Sequence, residues 1–198
     1  MTNRLVTWSG IDEATRIDQA SIELNATSML AIGIVRAQHF VSSWELDVST
    51  GWITRALRVT TRGFGWARSL ELTRSDEGTW SAESDAWGDN DLALPGLTDP
   101  DSLSGAIDCD LGLCPVTNTM PIRRLGLLEQ DVNETPLIMA WVEIPSLRVL
   151  RSDQVYASGP ASDRNRIPYK SFNRDFSAHL TVDVDGLVID YPTLAHRA

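Results

Sequence analysis

Lysine is almost absent from the chain: Lys170 is the single one among 17 basic residues, which face 27 acidic residues for a formal net charge of -10. Nucleic acid is therefore excluded as the main partner, because binding its backbone needs clustered cations that displace counterions. Cysteine is scarce as well. Cys109 and Cys114 lie five positions apart with no second pair and no nearby histidine, so neither a disulfide framework nor a zinc site follows. His39, His179 and His196 are scattered, and there is no glycine-rich phosphate loop and no nucleophile elbow. No metal and no cofactor is expected. No apolar run reaches the roughly 18 residues of a membrane-spanning helix, and the start, Met1-Thr2-Asn3-Arg4, leads to Trp8-Ser9-Gly10 and then a charged stretch without a signal-type block. A cytoplasmic location is the expectation.

What the chain does have is length, tryptophan and alternation. A chain of 198 residues buries about 70% of its unfolded surface without staples, and residues 1–198 are read as one domain. Seven tryptophans suggest a wide aromatic interior or a pocket. Period-two patterning dominates. Phe176, Ala178, Leu180, Val182 and Val184 share one strand face, and Asp185-Gly186 then turns the chain into Leu187–Tyr191 as a hairpin. A second hairpin is expected from His39–Val48 to Trp52–Thr60 through Ser49-Thr50-Gly51. Further strands are expected at Ala67–Arg74, Gly78–Glu83 and Leu147–Tyr156. Met29–Val35 and Leu137–Ile144 are continuously apolar, which predicts central strands covered on each side. Ile17, Ala20 and Leu24 share helical spacing, which predicts a short helix between Asp12 and Leu24. The stretch 85–105, with Asp85, Asp89, Asp91, Asp99 and Asp101 among prolines and glycines, reads as a solvated acidic loop. The fold class is mainly β: one curved antiparallel sheet forming a half-barrel or open barrel, with few short helices.

One segment resembles neither ordinary strand nor ordinary loop. Asp108-Cys109-Asp110-Leu111 and Pro115–Leu125 concentrate hydrogen-bonding residues between two prolines. Thr117, Asn118 and Thr119 form side-chain turns readily, and Arg123 and Arg124 offer planar forks for carboxylate or phosphate. Such a segment either ties an irregular crossing to the sheet, with the aspartates and arginines paired, or lines a site for a polar head group. A metal on Asp108 and Asp110 is a weaker alternative, since a hard cation wants more oxygen ligands. On a strand the two aspartates would point to one face.

The spacing Asp108-x-Asp110-Leu111 followed by Pro115-x-Thr117-Asn118-Thr119-x-Pro121-Ile122-Arg123-Arg124-Leu125 closely resembles the signature of the putative glycolipid-binding family of bacterial proteins. Trp52-Ile53-Thr54-Arg55, Gly78-x-Trp80, Trp141 with Pro145, Gln154-x-Tyr156, Tyr169 and the closing Asp185-Gly186-Leu187-Val188-x-Asp190-Tyr191-Pro192 extend the resemblance over nearly the whole chain. It implies a curved β domain similar to the open barrels of lipoprotein carriers. Asp89–Ser104 is longer and more acidic than the family pattern, and Cys109 and Cys114 depart from it.

Three functions are compatible with these residues. The first is non-enzymatic binding of a small amphipathic ligand, a glycolipid or another lipid, in a concave β pocket. Its candidate contacts are Trp52, Arg55, Asp108, Asp110, Thr117, Asn118, Thr119, Arg123, Arg124, Trp141 and Tyr156, with Trp44 and Trp80 as further wall residues. The second is an enzyme using Asp108 or Asp110 with Arg123. The third is a protein-interaction module, and a homodimer is left open.

Overall fold

The structure, a computed structural model, describes residues 1–88 and 90–198, with Arg174 described by its backbone alone. The first half is an antiparallel meander of β1 (Thr2–Gly10), β2 (Ile17–Leu24), β3 (Met29–Arg36), β4 (Phe40–Ser49), β5 (Ile53–Gly63), β6 (Trp66–Arg74) and β7 (Trp80–Trp87). The second half adds β8 (Gly96–Leu97), β9 (Asp108–Leu111), β10 (Thr135–Val142), β11 (Arg148–Tyr156), β12 (Arg166–Ser171), β13 (Phe176–Val182), β14 (Val188–Tyr191) and β15 (Ala195–Arg197). Because β15 returns beside β1, both halves join in one sheet of order 7-6-5-4-3-2-1-15-14-13-12-11-10-9, with β8 alongside β11. β8 pairs with β11, and β9 with β10, in parallel; the other ladders are antiparallel. The mainly β expectation holds, and the sheet stays open rather than closing into a barrel.

Alternation explains why these strands form and which face they bury. In β2 the inward set is Asp18, Ala20, Ile22 and Leu24; in β4 it is Ser42, Trp44, Leu46 and Val48. Trp8, Trp44, Trp52 and Trp80 are all buried on this inner face, each worth about 3–5 kcal/mol against truncation to alanine. Gly33 lies opposite Trp44, and a Cβ there would stand 2.3 Å from the indole, so only glycine lets the ring lie flat on β3. Hydrogen bonds tie the segment leading into β9 back to the first half: Trp80 Nε1 of edge strand β7 donates to the Ala106 carbonyl at 3.0 Å, and the Thr54 amide of β5 donates to Ile107 at 3.3 Å. The inner face is filled by a 3-10 turn, Pro115–Asn118, running into α1 (Thr119–Arg124), and residues 114–122 are buried throughout.

Four expectations need correction or refinement. Asp12–Leu24 holds no helix, because Ile17–Leu24 is a strand whose acidic Asp18 points inward; that buried polar side chain hid the period of two. β3 is covered on one side only: Leu30, Ile32 and Ile34 face outward and are exposed, and among the described residues no layer packs on that face. β10 fits a strand with cover on each side better, since its side chains from Leu137 on are buried or half-buried. The acidic stretch 85–105 is less of a loop than its composition suggests. β7 runs on to Trp87, Gly96–Leu97 pairs with β11, Pro100–Leu103 is a 3-10 turn and Leu103 is buried. Asp89 lies outside the described residues.

Candidate functional site

β9 begins where the chain crosses the inner face, and its aspartates both reach the Pro115–Arg124 segment, as their spacing predicts. Asp108 is 1% exposed and takes a two-pronged ion pair from Arg124, whose Nη1 also donates to the Trp52 carbonyl at 3.1 Å. Burial pushes the Asp108 carboxyl up, while the Arg124 guanidinium pulls it back down. Asp110 accepts from Thr117 Oγ1 at 2.9 Å and from Gln154 Nε2 at 2.8 Å. Tyr156 donates between Asn118 Oδ1 at 2.9 Å and Gln154 Oε1 at 3.2 Å, and burial, then Tyr169, holds its phenol well above the usual range. Thr119 Oγ1 closes the set on the Gly186 carbonyl at 3.2 Å.

Ten of the eleven sequence-predicted residues thus converge. Trp52 sits at φ 61, a strained value for a bulky residue, held by its amide on Thr27 and its carbonyl on Arg124. Arg123 does not reach either aspartate; it lies 5.4 Å from the Trp52 ring centre and 3.6 Å from Glu129. Trp141 is half-buried beside Asp110, Asn118, Tyr191 and Leu194, around a niche of about 10 Å³, which is room for about one water. Arg55 is the exception and is exposed on the outer face. Thr54 was missed: its hydroxyl accepts the Cys109 amide at 2.9 Å and donates to Met120 Sδ. Both cysteines are buried free thiols raised by desolvation. Among the described residues no cluster of three or more His, Cys, Asp or Glu is placed to hold a metal.

The outer face of β1–β7 offers the open space that this inner network lacks. Register aligns its outward residues in transverse rows. One row reads Thr7, Gln19, Ile34, Ser43, Thr60, Ser69, Asp85; the next reads Leu5, Ser21, Ile32, Glu45, Arg58, Glu71, Glu83. Short hydroxyls from Ser43 to Ser69 form a floor, and the longer Glu45, Arg58, Glu71 and Glu83 form a wall. The result is a groove of about 610 Å³, continuous through Thr60, Ser69 and Asp85 with a second space of about 570 Å³ bounded by Arg62, Trp66 and Trp87. Arg58 bridges Glu45 at 3.0 Å and Glu71 at 2.8 Å. Beyond β4 the outward side chains of β3 are aliphatic, with Leu30, Ile32 and Ile34 exposed, while β2 next to it presents Gln19 and Ser21. Sequence reading did not find this face, although the alternating polar residues of β4–β7 were its signal; only register shows that they align.

The family model described as "Putative glycolipid-binding" matches residues 5–197, and the chain belongs to that family. A crystal structure of a DUF1089 family protein from Pseudomonas aeruginosa is similar over 91% of this chain and 92% of that one, with a TM-score of 0.69 and 25% sequence identity. No curated protein matches. Membership supports a binding role in general.

Proposed function

We propose that this family member binds a small amphipathic ligand, a glycolipid or related lipid, on the outer face of β1–β7, without catalysing its conversion. One observation carries the reading: a single exposed face passes from an aliphatic strip along β3, Leu30, Ile32 and Ile34, to a hydroxyl-floored, charged groove on the strands beside it. An alkyl chain on the strip would leave water at about 25 cal/mol per Å², while hydroxyls of a head group meet Ser43, Thr60, Ser69 and the carboxylates beside them. The inner signature residues are largely paired with one another and leave room for about one water. We assign them to holding the crossing segment in place, with Arg123 and Trp141 at its margin. The buried, unpaired thiols favour a reducing, cytoplasmic setting. No helix among the described residues is long and apolar enough to cross a membrane.

The test is a titration with a short-chain alkyl glycoside below its micelle concentration, followed by tryptophan emission, since Trp66 and Trp87 border the groove. Saturable binding is expected in the wild type and is lost in Ser69→Trp, which fills the floor. No saturation in the wild type, or saturation unchanged in the variant, overturns the reading.

A further inference from the structure

One end of the β1–β7 face differs from the rest of the molecule. The β5–β6 hairpin turns there through Phe64-Gly65, with Gly65 at φ 77, a turn position that a side chain would strain. Phe64 is 98% exposed at the tip. Behind it, register places Ile17, Arg36, Val41, Arg62, Ala67 and Trp87 in one transverse row. Val41 is 50% and Trp87 66% exposed. Between this tip and the neighbouring β3–β4 turn lies an open notch of about 270 Å³, lined by Ala37, His39, Phe40, Val41 and Phe64.

We propose that this end docks on an anionic lipid surface, with Phe64 inserted and Arg36 and Arg62 at the head groups. The charges favour that partner. The chain as a whole is strongly acidic, yet the charges of this row are Arg36 and Arg62, neither in an ion pair among the described residues. Of the carboxylates near this row, Asp12 pairs with Arg16, Glu13 accepts from Thr15 and from the Gln38 amide, and Asp85, one row inward on the groove, accepts from the Ala86 amide at 2.8 Å, while Asp91 beyond Trp87 is exposed. The shape favours it too. A protruding aromatic reaches the acyl boundary while arginines one row behind keep their heads among phosphates and Trp87 stays at the interface. The second groove, which Trp87 and Arg62 border, opens at the same end, so a ligand could pass between bilayer and groove without crossing water. The inference rests on the amphipathic-ligand reading for its purpose, and on the tip's own geometry for its mechanism.

The experiment is co-sedimentation of the full chain with phosphatidylglycerol-containing vesicles and with purely zwitterionic ones, alongside light scattering without lipid. Preferential sedimentation with the anionic vesicles is expected, weakened at least about tenfold by Phe64→Ser and about fivefold by Arg36→Ser, and reduced by salt. Both sites are exposed, so neither change threatens folding. Three outcomes overturn the proposal: no sedimentation with lipid, sedimentation indifferent to Phe64→Ser, or a lipid-free dimer that Phe64→Ser dissolves. Vesicle docking without saturable alkyl glycoside binding would sink the ligand reading alone; glycoside binding without docking would sink this inference alone.

Discussion

The Arg124–Asp108 pair and the Glu45–Arg58–Glu71 ladder are made of the same groups on opposite faces of one sheet. Inside, Arg124 and Asp108 are 15% and 1% exposed; outside, Arg58 is 50% exposed and its partners nearly as much. In water an ion pair is screened and exchanges readily, so a ligand can compete for it. Desolvated, each partner becomes costly to leave alone, and the pair fixes whatever backbone carries it. The inner network therefore holds the fold, and the outer ladder remains free to meet something else.

The sharpest way to break this contrast is Arg124→Ala. It strands the Asp108 carboxylate and removes a donor from the Trp52 carbonyl, and urea unfolding should show a loss of about 3–5 kcal/mol. A midpoint equal to wild type would mean the crossing is not held by this pair.

Asp18 extends the contrast to pH. Burial, opposed by Arg16, lifts its pKa from 3.8 to about 7. The folded state thus keeps a proton that the unfolded chain releases, so stability is fully present below the unfolded pKa and falls as pH rises through about 7. The slope should not exceed about 1.4 kcal/mol per pH unit. Asp18→Asn should flatten the profile between pH 4 and 7, as measured by denaturation at several pH values; an unchanged slope would assign it to other groups.

The smallest effect on folding is expected outside. Arg58→Ala should leave the unfolding midpoint where it is while weakening alkyl glycoside binding. A clear drop in stability would show that the ladder, too, is structural.

Local pattern and tertiary contact divided the problem unevenly. The hairpin through Asp185-Gly186 and that through Gly51 were legible, because turn residues and period-two runs act over a few positions. The convergence of Asp108, Asp110, Thr117 and Arg124 was legible as a short, dense segment. Its partners Thr54 and Gln154 were harder to assign, since their roles depend on strands far apart in sequence. β2 was misread because inward Asp18 breaks the apolar rhythm, and its partner, Arg16, sits outside the strand.

By itself, then, the sequence determined the class of fold, the turns and the polar crossing, all of which follow from short-range spacing and side-chain chemistry. Only the tertiary structure decided which face of β3 is bare, that hydroxyls from three strands line up as a groove floor, and that Phe64 stands alone at a tip. Each of these depends on strand register and on whether another layer arrives to cover a face, and neither quantity is written in any local window of the chain.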